Sequence, residues 1–206
     1  MIKLYGVPAS RASRCLWMLE ELGVPYENVP VSFVGDVKKP EYLAKNPNGR
    51  VPTLEDDDGL IVWESLAINL HLAERYDKGF RPKSIAERAH AVQWSIWAMT
   101  EIEPGLIDAF VHRRMLPEAQ RDAAVADAGE QKLQRPLAVL DGQLAGRRWL
   151  LGDRFGVADL NVASVLAIAP LARIDLAKHA EVARWTGACM QRPAAQKVFG
   201  GLARSA

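Results

Sequence analysis

The sequence predicts an α/β first half followed by an all-helical second half. Every strand-like segment lies before residue 78, and the apolar residues after that point recur at helical spacing. Between the two halves, the composition shifts to glycine, proline and charge, as in linkers between domains. We therefore expect an α/β domain over residues 1–77 with elements in the order βαβ-ββα, a linker over 78–84, and an all-helical domain over 85–206.

The bulk composition indicates a soluble globular protein. The chain has 206 residues, of which 49% are hydrophobic and 25% charged, so it is long enough to bury one large core or two small ones. Its formal net charge is +1, which gives no electrostatic sign of a nucleic-acid partner.

Cysteine usage and hydropathy favour the cytoplasm. Cys15 and Cys189 are too far apart in sequence for a disulfide framework or a cysteine-rich zinc site, and free cysteines suit a reducing compartment. The longest apolar stretches, such as residues 162–172, fall short of the roughly 18 residues that span a bilayer. No signal-peptide core follows the N-terminus. We therefore expect cytoplasmic localisation and no membrane partner.

The first thirty residues predict a strand, a helix and a second strand. The strands are expected over residues 2–5 and 26–31. Gly23 is a candidate C-terminal cap of the helix between them. The helix is predicted by the spacing of Leu16, Leu19 and Leu22. Two strands joined by a helix form a βαβ unit, which implies parallel pairing with a right-handed crossover.

The following segment predicts a short helix, a hairpin and a longer helix. Residues 40–45 are helix-like, and the Asp-Asp-Gly sequence at 57–59 is a strong hairpin signal. The hairpin joins antiparallel strands over 52–56 and 60–63, and a helix with a broad apolar face follows over 65–76.

The second half predicts five helices. Residues 84–87 match a capping box, which marks a helix start. Pro117 separates the first two helices, and Pro136 is expected to kink or split the second. The third is apolar nearly all round, which predicts a buried central helix. The expected ranges are 86–115, 118–145, 157–168, 178–190 and 194–203.

Residues 46–54, together with residues 63–65, combine a turn, a strand that starts at a proline, and a polar helix start. Pro52 lacks a backbone N–H, so its strand is expected at a sheet edge unless the missing donor serves a purpose. The Val51–Pro52 bond is a candidate cis peptide bond. A bound peptide would pair with the backbone beside Pro52, while Glu64 and Ser65 meet it at a helix N-terminus. The alternative is an ordinary β-turn over 46–49 and an ordinary first-turn acid.

These residues resemble the glutathione S-transferase superfamily, whose first domain is thioredoxin-like. The stretch over 46–54 resembles the family's glutathione-binding loop with its cis-proline, and Glu64-Ser65-x-Ala67-Ile68 resembles the start of its third helix. Further matches to its first βα unit, central-helix cap and closing helix lie at residues 4–6 with 19–23, 155–159 and 192–194. Because the matches span almost the whole chain, the predicted fold does not rest on one motif.

The chain departs from the family pattern at the start of the central helix. The family usually places Ser or Thr three residues before the aspartate, and here that position is Gly156. Glycine is still an acceptable N-cap. We expect Asp159 to reach back to the Gly156 backbone N–H.

The resemblance implies a residue after the first strand that activates the glutathione thiol. A hydroxyl there donates to the sulfur and favours the thiolate, which is the nucleophile. Ser10 matches the position used by serine-type members, and Ser13 is the second candidate. The alternative role for Ser10 is to cap the first helix, and both roles can hold at once. Tyr5 and Cys15 are expected to be packing residues.

The resemblance also implies how glutathione is held. Glu64 would pair with its ammonium group, and Ser65 would hold the γ-glutamyl carboxylate at a helix start. The Val51 backbone, beside Pro52, would pair with the cysteinyl part. Lys38, favoured over Lys39, would reach the glycyl carboxylate; the alternative for both lysines is a solvated loop. Arg50 belongs to the same binding loop, and no metal is implied.

The second substrate is expected between the two domains. The resemblance implies a hydrophobic, electrophilic small molecule and a homodimer. Five residues are candidates by position, although aromatic and Met residues at helical spacing commonly belong to a core: Trp94, Trp97, Met99, Phe110 and His112.

The function that the resemblance implies is glutathione transfer to an electrophile. Within the same scaffold, glutathione-dependent peroxidase, isomerase and dehalogenase activities are alternatives. A non-catalytic interaction module is a further alternative, although such modules often lack the loop serine or the Glu-Ser pair. A thiol-disulfide reductase would need an exposed Cys15, because the chain has no Cys-x-x-Cys pair.

Overall fold

The computed structural model describes residues 1–200 and confirms an α/β domain followed by a helical domain. A short 3₁₀ turn, Asp36–Lys38, precedes the second helix. The α/β elements are β1 (Ile2–Tyr5), α1 (Ala12–Leu22), β2 (Tyr26–Val29), α2 (Pro40–Leu43), β3 (Thr53–Glu55), β4 (Ile61–Trp63) and α3 (Ser65–Tyr76).

The four strands form one mixed sheet in the order β2-β1-β3-β4. β1 pairs parallel with β2, which confirms the predicted βαβ unit, and antiparallel with β3. Leu4, at the centre of the sheet, lies opposite Asn28 on one side and Leu54 on the other. Gly23 ends α1 with φ 61°, a left-handed conformation that glycine adopts without steric cost.

Of the two expectations for Pro52, the edge strand is wrong, and a purpose for the missing donor stays a prediction. β3 begins one residue later, at Thr53, and lies between β1 and β4. Pro52 stands just outside the ladder, so its missing N–H costs no sheet hydrogen bond. β2 is also shorter than predicted and ends at Val29, because Pro30 has no N–H with which to continue the pairing.

Helices make up the second domain. The predicted last helix ends at Phe199, and its predicted residues 201–203 lie outside the described residues. Over residues 1–200, no helix combines the length and apolarity needed to cross a membrane. The α-helices are α4 (Ile85–Trp97), α5 (Glu103–Phe110), α6 (Ala123–Leu144), α7 (Val157–Leu166), α8 (Ala180–Met190) and α9 (Pro193–Phe199).

The helix predicted over residues 86–115 is helical throughout but contains two π-helical segments. They are Ala98–Ile102 and Val111–Met115, and they flank α5. Pro104 lies just after the first segment, where its ring would crowd the carbonyl four residues earlier in a regular helix. The wider π turn accommodates that proline and changes which side chains face the α/β domain.

α6 runs through Pro136 without a break. Of the two expected effects of this proline, the split is therefore wrong, and the kink stays a prediction. Pro136 is buried, as are Leu133, Leu137 and Leu140 on the same side of the helix. Burial of this apolar face stabilises the helix enough to offset the hydrogen bond that the proline removes.

The start of α7 is organised by one buried carboxylate. Asp159, 1% exposed, accepts a bond from the Gly156 N–H at 3.1 Å, as the sequence predicted. It also accepts bonds from the Leu150 N–H and the Trp185 Nε1–H, both at 2.8 Å. Burial raises the pKa of Asp159, and these donors act in the opposite direction.

The two domains share one continuous hydrophobic core. Trp17 of α1 is fully buried and packs against Phe155 and Phe199, with ring centroids 6.0 and 5.7 Å apart. Arg192, just before α9, pairs with Glu21 of α1 through two nitrogens, at 2.5 and 2.7 Å. These contacts fix the helical domain against α1, the helix that carries both candidate serines at or near its start.

Candidate active site

A cleft of about 1120 Å³ lies between the two domains. Its α/β wall comes from the loop after β1, the start of α1 and the loop before β3. Its helical wall comes from α5, the end of α7, the segment between α7 and α8, and the last two helices. This wall carries no charged side chain among the described residues. The polar residues of the α/β wall are Ser10, Arg11, Ser13, Arg14 and Arg50.

Ser10 lines the cleft and also supports the start of α1. Its hydroxyl donates to the Val7 carbonyl at 2.6 Å and accepts a bond from the Ala12 N–H at 3.2 Å. The N-cap position itself is held by Arg11, whose side chain makes no capping bond. Ser10, the residue before the N-cap, therefore accepts the hydrogen bond from the first amide of the helix.

Ser13 lies in the first turn of α1 and is 8% exposed. Its hydroxyl donates to the Ser10 carbonyl at 2.9 Å. That bond uses its single proton within the loop. Of the two serines, Ser10 is the more exposed to the cleft.

The loop before β3 has a cis peptide bond at Val51–Pro52. The Arg50 carbonyl beside it accepts two hydrogen bonds, from the Tyr42 hydroxyl at 2.6 Å and the Asn46 side-chain amide at 2.8 Å. Both donors are buried. They fix the backbone on one side of Val51, whose side chain lines the cleft.

The structure distinguishes the two candidate lysines. Lys39 pairs with Asp36 at 2.8 Å. Lys38 has no ion pair within residues 1–200, and its Nζ would lie 3.4 Å from a Cβ built on Gly49 of the binding loop. Gly49 has φ 58°, so a side chain is disfavoured there on conformational grounds as well. Lys38 is thus the lysine that lies against the loop.

Glu64 and Ser65 lie at the start of α3. Glu64 is exposed and has φ 73°, a conformation that costs free energy for a residue with a side chain and that clusters at ligand sites. Ser65 is 3% exposed, and its hydroxyl accepts a bond from Arg14 at 3.4 Å. Neither residue lines the cleft directly, so Arg14 connects this helix start to the α/β wall.

Arg14 belongs to a buried ion pair between the domains. Its guanidinium lies 2.5 Å from Glu103 of α5, and the Nε of Arg11 lies 2.7 Å from the same carboxylate oxygen. Burial alone would raise the pKa of Glu103, but the charges and hydrogen bonds of the two arginines outweigh it and hold that pKa below its usual value. Two cations and one anion leave a net positive charge beside Ser10.

Only one of the five predicted second-substrate residues, Phe110, lines the cleft. Trp94 and Trp97 pack against each other with ring centroids 4.9 Å apart. Met99 accepts a bond from Arg14, and His112 accepts one from the Asp122 N–H. Apolar residues that the sequence analysis missed include Phe33, Ile107, Met115, Leu171, Met190 and Phe199.

Two other groups have reactive or metal-binding side chains, but one is buried and the other forms ion pairs. Cys15 is fully buried, and burial raises the pKa of its thiol, so it is not an exposed nucleophile. The carboxylates of Asp56, Asp57 and Asp58 lie within 4.8 Å of one another. Arg75 forms an ion pair with all three.

The fold and the cleft define a two-domain protein in which a thioredoxin-like domain with a cis-proline loop faces a largely apolar helical wall. Residues 1–74 match the glutathione S-transferase N-terminal domain, and residues 102–193 match the C-terminal domain. The chain belongs to the glutathione S-transferase family, which confirms the resemblance seen in the sequence.

Individual relatives are similar over nearly their full length. Glutathione S-transferase GstB of Escherichia coli K12 is 35% identical, with 96% of this chain and 97% of the relative covered. Glutathione S-transferase 4 of Zea mays is also 35% identical, with 96% and 91% covered. The crystal structure of the theta class glutathione S-transferase from Xanthomonas axonopodis pv. citri, with glutathione bound, superposes with a TM-score of 0.89 at 33% identity and covers 96% of both chains.

Proposed function

We propose that this protein is a glutathione transferase that activates the glutathione thiol for attack on a hydrophobic electrophile. The observation that carries the proposal is the asymmetry of the cleft. One wall combines the loop serine, three arginines and the backbone beside the cis-proline, and the other wall has no charged side chain over residues 1–200. An anionic tripeptide suits the first wall and an apolar electrophile suits the second.

The α/β domain offers a proposed partner for each part of glutathione, both in the cleft wall and at the neighbouring start of α3. Glu64 pairs with the ammonium group, and Ser65 holds the γ-glutamyl carboxylate at the start of α3. The Val51 backbone, beside Pro52, pairs with the cysteinyl part. For the glycyl carboxylate we propose the cations next to this loop, Lys38 and Arg50.

Ser10 is the proposed thiol-activating residue, in the manner of serine-type members. A cysteine thiol has a pKa near about 8.5, so it is mostly protonated at neutral pH. When glutathione binds, the Ser10 hydroxyl turns from the Val7 carbonyl toward the sulfur and donates to the thiolate. The thiol proton passes to solvent. The thiolate then forms the bond to the electrophilic carbon, and the leaving group on that carbon, such as a halide, departs to solvent with the electron pair of the broken bond. The positive N-terminus of α1 and the arginines beside it favour the same thiolate.

A homodimer is part of the proposal. The edge strand β4 exposes Ile61 and Trp63, and α4 exposes Val92 and Ile96, which are large apolar side chains for a protein surface. A second copy of the chain would bury them. Sedimentation equilibrium should then give twice the chain mass of 22.7 kDa. A monomer at all concentrations would contradict the dimer without affecting the proposed chemistry.

We also propose that the protein works in the cytoplasm and that residues 78–84 mark the domain boundary. Cys15 and Cys189 are both free and buried, which fits a reducing compartment. The proposed boundary falls in the segment between α3 and α4.

Glutathione-agarose retention followed by a conjugation assay tests the proposal. Wild type should be retained and should conjugate an electrophile such as a halogenated dinitrobenzene. Ser10→Ala should be retained but lose most of its turnover. Absence of retention would refute glutathione binding and favour the interaction-module alternative.

A further inference from the structure

The helical wall of the cleft contains a hydroxyl group without a hydrogen-bond partner. Thr186, on α8, lines the cleft and is 9% exposed, and its Oγ1 has no partner within residues 1–200. A helical threonine usually donates to a carbonyl three or four residues earlier, and Thr186 does not. A buried hydroxyl in this state costs free energy that a bound acceptor would recover.

A second hydroxyl lies in the same wall. Ser164, on the neighbouring helix α7, lines the cleft and is 3% exposed. It donates to the Asn161 carbonyl at 2.8 Å, which uses its only proton and leaves its oxygen able to accept. Thr186 can therefore donate a hydrogen bond to a ligand, while Ser164 can accept one.

The surroundings of these two hydroxyls are apolar. The helical wall includes Ile107, Phe110, Leu176 and Met190. Within the part of the chain that the structure describes, the three arginines of the cleft all belong to the opposite wall. A charged group placed against the helical wall would lose its hydration without gaining a counter-ion. The wall therefore favours a neutral molecule.

We propose that Thr186 and Ser164 form a neutral polar subsite that binds an oxygen atom of the second substrate. The inference rests on the proposed function and narrows the substrate class. The electrophile is apolar and uncharged, and it carries a hydroxyl group remote from the carbon that glutathione attacks. The oxygen of that hydroxyl accepts from Thr186, and its proton is donated to Ser164. Rotation about χ1 exchanges the Thr186 hydroxyl with its methyl group and turns the hydroxyl toward the ligand.

S-alkylglutathiones test the subsite by binding alone. A series from butyl to decyl, each with a matched derivative hydroxylated at the chain end, is titrated into the full-length protein by calorimetry. At the chain length that reaches Thr186, the hydroxylated compound should bind about fivefold more tightly than the plain one, as one net hydrogen bond gives. Thr186→Val should abolish that preference and leave the plain alkyl affinity within about twofold, since valine has nearly the same shape. Thr186→Ser should retain the preference.

The possible failures are distinguishable. Tighter binding of the plain compound at every chain length, or a preference that survives Thr186→Val, would overturn the subsite and leave the transferase proposal intact. Failure of unmodified glutathione to bind would overturn the proposed function and the subsite together.

Discussion

Two buried threonines form a matched pair for testing hydrogen bonding at the residue scale. Thr53 is fully buried, and its Oγ1 is bonded to the Tyr42 hydroxyl at 2.9 Å and to the Asn46 amide at 3.1 Å. Thr186 is nearly as buried, but its hydroxyl has no partner among the residues that the structure describes. The same substitution thus removes a satisfied hydroxyl at one site and an unsatisfied one at the other.

Thr53→Val should lower the free energy of unfolding by about 1–2 kcal/mol, because it leaves an N–H of the buried Asn46 amide without its acceptor and removes the hydroxyl that bonds Tyr42. Thr186→Val should leave the free energy of unfolding unchanged or raise it slightly, because it removes a desolvated hydroxyl that bonds nothing. Urea denaturation at neutral pH measures both. Equal losses in the two variants would show that the structure assigns the partners of these hydroxyls incorrectly.

Glu103 makes the contact between the domains dependent on pH. The arginines hold the folded-state pKa of Glu103 below the ordinary glutamate value of about 4.3. For a carboxyl whose pKa is depressed by folding, the stabilisation is present above the unfolded-state pKa and is lost as the pH falls toward the folded-state pKa. The wild-type protein should therefore lose stability below about pH 4.3.

Glu103→Gln should destabilise the protein by about 3 kcal/mol at pH 7, because Arg14 is left buried without its counter-charge. The variant should also lose less stability than wild type between pH 5 and pH 3, measured by thermal unfolding across pH. Asp108→Asn is the control, because Asp108 lies on α5 like Glu103 but forms an exposed ion pair, with Lys132 of α6. Loss of that pair should cost less than about 1 kcal/mol. Parallel profiles of stability against pH for wild type and Glu103→Gln would contradict the lowered pKa of Glu103.

At the element scale, α5 and α6 approach each other through two glycines. A Cβ built on Gly129 would lie 2.6 Å from the Gly105 carbonyl oxygen and 2.8 Å from the Asp108 Cβ. Real side chains do not tolerate such contacts with backbone, so the helices would have to move apart. Gly142, on the same helix α6, has nothing within 4 Å of the equivalent position.

Gly129→Ala should lower the free energy of unfolding by about 1–3 kcal/mol through overpacking. Gly142→Ala should raise it by about 0.5–1 kcal/mol, because alanine loses less backbone freedom than glycine on folding. Chemical denaturation of both variants checks the pair. A stabilised Gly129→Ala protein would contradict the close crossing of α5 and α6.

The sequence predicts helices well at this scale but not the direction of their side chains. The helical spacing over 86–115 correctly gives one continuous helical run. Each π segment adds a residue to a turn, and this shifts the face presented by everything that follows. After the first segment, Ile107 lies in the cleft, whereas His112, which the sequence places there, does not. Trp94 precedes both π segments, and it packs against Trp97 instead of lining the cleft. Pro104 was the available signal for the first irregular turn.

At the scale of the whole molecule, the two walls of the cleft differ in how far the sequence reveals them. The α/β wall is local: its loop and helix starts follow from proline, glycine and capping chemistry, and the motif at 46–54 marks it. The helical wall is assembled from residues far apart in sequence, such as Ile107, Leu171 and Phe199. Their proximity depends on how α1, α5 and α9 pack, and no local pattern encodes it.

The contacts of Trp17 with Phe155 and Phe199 likewise could not be predicted from local sequence patterns. Each residue is recognisably apolar in the sequence, yet their meeting joins the start, middle and end of the chain. This shared core holds the helical wall opposite Ser10 and gives the cleft its shape.

The central claim is that the cis-proline loop and the start of α3 bind glutathione, and calorimetric titration with glutathione tests it most directly. Wild type should bind one molecule per chain, and Ser65→Ala should weaken binding by about tenfold, because a charge-assisted hydrogen bond to the γ-glutamyl carboxylate is lost. Glu74→Gln, on the same helix, should bind like wild type, since Glu74 pairs with Arg88 at the surface. No binding by wild type, or equal binding by wild type and Ser65→Ala, would contradict the claim.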